Sequence, residues 1–433
     1  MRLPEFPIQF NKWFTFFAGI VVSLVSGSQY LFPARTRYET NLIGTLCNLG
    51  SYAGAIPALV QDAFGPRITL LFGFVLVFSG YFLAYCVVAG FFTAPAVVVG
   101  LFFCIMGNGS SGSYVAVLST NIKNFSYENR GKVVGILAAM FGICSAFFSF
   151  IYEYIFKYDL VHFFLFMSLF CGLSILLIGF PFVNEVKNKE PLLADKTTIT
   201  TYDGDDVNVE VTIQTEKPRE VYLNPFQMIL TVDFWLLFIL LFAGIGTGLV
   251  VINNMGNMVQ SYRGEKHMTG ILVIIFSVFN CIGRILFGYL SDKLKNYITR
   301  TGFLNITVLM MALSQYCWAF VTLPLFYPLV ILTGISYGGV WCMSPAFITD
   351  RFGQKWFGVN SSLCNLASTA GSYTMATYLA AKIYTSNISQ GGKNCYGPKC
   401  FQITYFITTV VNVVAFVFGL ILMYRTRELY RNK

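Results

Sequence analysis

Apolar runs of about twenty residues recur twelve times along this 433-residue chain, and no other feature constrains its fold as strongly. They centre near Gly19, Cys47, Phe78, Phe103, Gly142, Cys171, Phe242, Ser277, Cys317, Ile335, Ala370 and Ala415, and charge or turn residues end each one. Roughly twenty apolar residues coiled as a helix cross a hydrocarbon core about 30 Å thick. Backbone polar groups in lipid must be satisfied within the element, so each run is read as helix rather than strand. Charged residues make up 11% of the chain, whereas an ordinary soluble domain carries about 25%. A water-facing surface cannot be built from so few. That excludes a cytosolic enzyme, a disordered chain and a nucleic-acid binder, in spite of the formal net charge of +9. The partner implied is the lipid bilayer.

Lys12 precedes a first run too long for the apolar core of a signal peptide, and no small-residue cleavage site follows, so the run is read as a helix that stays. Twelve spans put both ends on one side. Roughly twenty Lys and Arg fall on that side against roughly eight on the other, which by the positive-inside rule makes the termini cytoplasmic. The membrane itself, plasma or vacuolar/lysosomal, is left open. In the outer loop 383–400, Cys395 and Cys400 bracket the turn-forming Tyr-Gly-Pro-Lys and are read as a small disulfide loop, with two free thiols as the alternative. Asn387-Ile-Ser389 is a glycosylation sequon on the same side. The other nine cysteines lie in apolar runs, where Cys acts as a small core residue.

A polar stretch divides the chain into two six-helix bundles, residues 1–183 and 233–433, joined by a cytoplasmic linker, 184–232. A dileucine sorting signal at Leu192-Leu193 is weakly formed, because Asn188 stands where an acid is usual. The halves echo each other. Asp62 after the second run is answered by Asp292 after the eighth, 230 residues on; Gly107 by Gly334, at 227; and Gly135 by Gly358, at 223. A near-constant offset points to internal duplication.

Gly288-Tyr-Leu-Ser-Asp292-Lys293 resembles the cytoplasmic loop signature of the major facilitator superfamily, and Asp62-Ala-Phe-Gly65-Pro-Arg67 is a looser copy. Within that superfamily the chain is similar to the nodulin-like transporters and, more distantly, to monocarboxylate and oxalate/formate carriers. Four blocks carry the nodulin-like resemblance. They are Gly107-Asn108; Lys123-Asn124-Phe125 followed by Arg130-Gly131-Lys132-Val133-Val134-Gly135; Val251-Ile252-Asn253-Asn254-Met255-Gly256; and Phe352-Gly353-Gln354-Lys355-Trp356-Phe357-Gly358. The resemblance implies an all-α, twelve-helix carrier of two pseudo-symmetric six-helix bundles, working by rocker-switch alternating access.

A charge inside lipid costs at least about 2.5–3.5 kcal/mol, so one that persists needs a reason. Arg284 lies eight residues before Asp292, roughly 12 Å inward from the end of its span and close to the midplane. Its guanidinium can hold a carboxylate bidentately, or it can cap carbonyls and brace the bundle; both readings stay open. The carriers it resembles place a substrate-binding Arg at a similar point. Monocarboxylate carriers also have an Asp four residues earlier, where this chain has Asn280, so their proton coupling does not carry over. Where they place a basic residue after Phe-Pro this chain has Ala34, with Arg35 next; Arg35 can substitute as an outer anion contact or simply face solvent, as a charge at a span edge more often does. No Asp or Glu falls mid-span, which favours facilitated diffusion or anion exchange over tightly coupled symport.

Asn253 and Asn254 follow the glycine-rich Gly244-Ile-Gly246-Thr-Gly248, a pattern that suits either a discontinuous binding-site helix or close helix packing. Gln29, Tyr30, Asn108 and Tyr337 complete the substrate-site candidates, with Asn48, Tyr114 and Trp341 as further intramembrane polar or amphipathic residues; Tyr and Trp also serve as interfacial anchors. Asp62, Arg67, Asp292 and Lys293 are candidates for a gate at the cytoplasmic span ends, or for topology alone.

These observations describe a secondary carrier of a small solute, with an organic anion such as a monocarboxylate as the first expectation. A nutrient sensor that kept the fold and lost transport is the rival from another class. An enzyme is disfavoured: HExxH and GxSxG are absent, and His162 and His267 cannot make a metal cluster, so neither cofactor nor metal is expected. One such unit normally suffices for transport, and a monomer is expected.

Overall fold

The computed structural model describes residues 11–27, 37–52, 54–126, 129–186, 222–388 and 394–428. Gln29, Tyr30, Arg35, the Leu192-Leu193 pair, Ser389 of the sequon and most of the linker lie outside the described residues. The described chain forms twelve helical rods. In the first half these are α1 (Lys12–Ser26), α2 in two pieces (Arg37–Tyr52 and Ala55–Phe64), α3 (Pro66–Val88), α4 (Ala96–Asn124), α5 (Arg130–Phe150) and α6 (Leu160–Ser174). The second half contains α7 (Val232–Ser261), α8 (Lys266–Lys293), α9 (Arg300–Trp318), α10 (Phe326–Phe352), α11 (Phe357–Gly371) and α12 (Gln402–Arg425). Wider π-helical turns extend α5 through Ile151–Ile155, α6 through Ile175–Gly179 and α11 through Ser372–Leu379.

Among the described residues eight of these rods are long and apolar enough to cross a membrane by themselves. The remaining four are shorter, broken or richer in polar residues, and α11 is one of them because its Ser and Asn side chains face other helices. Outward-facing side chains are large and apolar, as on α12, where Val410, Val413, Val417 and Leu420 stand exposed. A soluble monomer does not carry so continuous an apolar surface, and lipid is its solvent. Side-chain caps start several helices: Asn11 before α1, Thr231 before α7 and Thr299 before α9 each accept a backbone N–H of the first turn.

The two halves repeat one packing scheme. α2 lies along α4 as α8 lies along α10, α3 along α6 as α9 along α12, and α1 along α5 as α7 along α11. Across the halves α5 packs on α8, and α2 on α11. The equivalence is sharper than the sequence offsets imply. α5 begins at Arg130, so the counterpart of Gly358 near the start of α11 is Gly131, not Gly135. Phe125 and Phe352, like Gly131 and Gly358, are then separated by the 227 residues that separate Gly107 from Gly334.

The glycine run of α7 does not interrupt it, and the close-packing reading holds: Val232–Ser261 is one continuous helix. A Cβ on Gly246 would sit 2.7 Å from Gly371 Cα, so the run lets α7 and α11 approach each other without breaking either.

Candidate functional site

A cavity of about 370 Å3 lies between the halves, lined by both. Residues at helical spacing supply it. Phe276, Ser277, Asn280 and Arg284 share one face of α8; Phe141, Gly142 and Ser145 come from α5; Tyr337, Trp341 and Ser344 from α10; and Ser111 and Tyr114 from α4. Ser51 of α2, Asn253 of α7 and Ser361 and Asn365 of α11 complete the polar lining. Among the described residues Arg284 is its only cationic residue, and no Asp or Glu lines it.

Arg284 is 4% exposed. Its Nε donates to Asn280 Oδ1 at 3.0 Å, and its Nη1 crosses the interface to the Ala138 carbonyl of α5 at 2.5 Å. The Phe141 and Trp341 rings lie about it, with centroids 6.0 and 5.9 Å from Cζ. A Cβ on Gly142 would stand 3.2 Å from Arg284 Nε and from Asn280 Nδ2, so this glycine makes room for the guanidinium. A neutral amide thus orients a buried cation without neutralising it. The buried Ser344 hydroxyl, on the same cavity, has no hydrogen-bond partner among the described residues. The arrangement can bind one anionic group on Arg284, with serine and asparagine for its polar atoms and aromatic rings for its body.

Tyr337, Asn253 and Asn280 therefore converge with Arg284. Asn108 and Asn254 do not line the cavity. Asn108 Nδ2 donates to Cys104 O on its own helix at 3.2 Å. Asn254 Nδ2 donates to Val250 O at 3.0 Å and to Ala376 O at 3.1 Å, stitching α7 to the π-helical turn of α11.

At the end of the bundle where α1 begins and α12 ends, the halves are tied by a symmetric exchange. The Asp62 carboxylate, in the last turn of α2, accepts the Gly358 and Val359 N–H groups of α11 at 3.0 and 2.8 Å. That of Asp292, in the last turn of α8, accepts the Gly131 and Lys132 N–H groups of α5 at 3.1 and 2.8 Å. Each carboxylate caps a helix of the opposite half, where free N–H groups and the helix dipole favour negative charge.

Around Asp292 a buried ion network closes the ring. Arg300 donates to Asp292 at 3.0 Å and to Asp350 at 2.9 Å, and Arg130 reaches Asp350 across the halves at 3.4 Å. Arg130, Arg300 and Asp350 are missing from the sequence-predicted gate. Position within the Arg-Gly-x-Val-Val-Gly block was the available signal for Arg130; only the fold brings the other two to it. Lys293 does not enter the exchange. Lys293 sits outside it with its ammonium 5.7 Å from the Tyr289 ring.

At the other end Cys395 and Cys400 are joined in a disulfide, and Gly397 N–H between them donates to Ser261 O at the end of α7. Asn387 Nδ2 donates to Ile383 O at 2.8 Å.

The chain is 28% identical over 218 residues to "Protein NUCLEAR FUSION DEFECTIVE 4" of Arabidopsis thaliana, a match spanning 48% of this chain and only 37% of that protein. Over nearly its full length it is 22% identical to the oxalate:formate antiporter of Oxalobacter formigenes, covering 94% of this chain and 90% of that one. It is also 22% identical to the probable transporter MCH1 of Candida albicans, covering 95% and 91%. Among solved structures, the fold resembles the transporter FucP in its outward conformation, with a TM-score of 0.64 at 11% identity over 94% of this chain and 98% of that one. It also resembles the proton:xylose symporter XylE, with a TM-score of 0.65 at 13% identity over 96% of this chain and 95% of that one. These functionally named relatives and fold neighbours are transporters, not enzymes. The sequence model of the Major Facilitator Superfamily matches residues 13–376 and 236–433, and the chain belongs to that family.

Proposed function

We propose that this family member is a secondary carrier of a small organic monoanion, by preference a monocarboxylate, which it binds on Arg284 in the cavity between the halves. The observation that carries the reading is a buried guanidinium facing a cavity of about 370 Å3 to which the described residues bring no second cation and no carboxylate. One cation matches one carboxylate. A dicarboxylate would leave its second charge facing rings and hydroxyls in a medium where an unpaired charge is costly. The oxalate:formate antiporter among its relatives supports an organic-anion substrate, and anion exchange or facilitated diffusion suits a site without a titratable mid-span acid.

In this reading the bundles 1–183 and 233–433 rock about the cavity, and residues 184–232 link them on the cytoplasmic side with both termini. The exchanges of Asp62 with α11 and of Asp292 with α5 form the gate on that side, which breaks as the carrier changes face. The Cys395–Cys400 loop and Asn387 then face the outside.

Counterflow into proteoliposomes tests the reading. Vesicles loaded with an unlabelled monocarboxylate should accumulate the labelled one, and those containing Arg284→Gln should not. Accumulation of neutral or cationic solutes by both proteins alike would remove Arg284 from the site and the organic anion with it.

A further inference from the structure

On the outer flank of the α5–α8 seam two lysines, one from each half, converge on a single tyrosine. Lys132 Nζ lies 5.9 Å and Lys293 Nζ 5.7 Å from the centroid of the Tyr289 ring, which is 45% exposed. Lys132 Nζ donates to Asn129 Oδ1 at 3.3 Å, and neither ammonium meets a carboxylate among the described residues. Asp292, the nearest acid in sequence, is turned inward onto the α5 N–H groups and Arg300. Two like charges therefore share one ring where the long apolar stretches of α5 and α8 end. Long basic stems reach from apolar surface to a headgroup layer, and tyrosine favours the same depth.

We propose that Lys132, Lys293 and Tyr289 form a docking site for the phosphate of an anionic phospholipid. The headgroup would sit between the ammoniums with its acyl chains along α5 and α8. Because the lysines belong to opposite halves, and the Lys132 backbone N–H is itself held by Asp292, an anion between them bridges the seam while the gate is closed. Occupancy then favours the closed gate and loosens when the halves part. The site is separate from the Arg284 cavity, and its test needs no knowledge of the transported solute.

The full-length protein in phosphatidylcholine nanodiscs, with and without phosphatidylglycerol, provides the test. Lipids retained are read by native mass spectrometry and stability by thermal melting. The wild type should retain phosphatidylglycerol and melt higher with it, and should lose both effects as salt rises. Each lysine replaced by glutamine should weaken retention about fivefold, the ratio equivalent to about 1 kcal/mol per basic residue near an anionic surface. Lys132→Arg/Lys293→Arg should keep it. Inorganic phosphate should not substitute for the lipid. Undiminished phosphatidylglycerol retention by Lys132→Gln/Lys293→Gln would overturn the proposal. So would a wild-type response indifferent to salt, which needs no variant to fold, and so would equal stabilisation by inorganic phosphate, which would mark a site for a soluble anion instead.

Discussion

The Arg284 guanidinium donates across the two halves to the Ala138 carbonyl, 2.5 Å away. That carbonyl lies inside α5, where the helix's own N–H four residues on already engages it. A ligand carboxylate is the stronger acceptor, with charge and two oxygens in one plane. In the proposed reading, binding would exchange this inter-half contact for a ligand contact, which would link the substrate to the motion.

Replacing Arg284 by Lys tests this geometry. A lysine keeps the charge but has no fork to hold Asn280 and a second acceptor together. Retained but weakened monocarboxylate binding is expected, between the wild type and Arg284→Gln, with selectivity among carboxylates of different shape reduced. Isothermal titration on the three proteins reads the order.

Asn280→Asp should convert a pH-insensitive site into an acid-activated one. The new carboxylate would sit where Asn280 Oδ1 now accepts from Arg284 Nε. At neutral pH it is ionised, pairs with Arg284 and removes the positive charge from the cavity. Protonation on acidification frees the guanidinium. Anion binding should therefore be lost at neutral pH and return on acidification, while the wild type stays flat over the same span.

Much of this site was legible in the chain alone, because depth in a membrane helix is a matter of counting: Arg284 lies eight residues inside Asp292, and the glycines beside it permit close approach. Asp62 and Asp292 were likewise marked by their loop signatures. The cavity serines were not, since Ser111, Ser145, Ser277, Ser344 and Ser361 look like any other small residues in tightly packed helices, and only neighbouring rods decide which of them face a void. Asn254 and Asn253 differ by one residue and a hundred degrees of helix, which sends one to the α11 backbone and the other to the cavity.

The two capping carboxylates, Asp62 and Asp292, should differ in cost. Asp62→Ala removes a cap on α11, a loss of about 0.5–2 kcal/mol. Asp292→Ala removes the cap on α5 and also takes one of the two carboxylates from the buried Arg300, a loss of about 3–5 kcal/mol. Thermal melting of the two variants in one detergent should place Asp292→Ala clearly lower, and cysteines introduced along the α5–α8 seam at that end should become more accessible to a soluble thiol reagent.

Gly142→Val should weaken ligand binding through the guanidinium while leaving the rest of the bundle folded. The added side chain meets Arg284 Nε and Asn280 Nδ2, and overpacking of this kind costs about 1–3 kcal/mol. A large loss of monocarboxylate affinity with a modest fall in melting temperature is expected, read by titration and melting on the same preparation.

Equilibrium binding of a panel of monocarboxylates, dicarboxylates, sugars and cations to the purified wild type and to Arg284→Gln measures the central claim. The expected result is saturable binding of a monocarboxylate by the wild type, weakened at least about thirtyfold in the variant, since truncating one partner of a buried charge pair costs about 2–5 kcal/mol. Equal binding of any ligand by both proteins, or a wild type that prefers a dicarboxylate or a neutral solute, would contradict it.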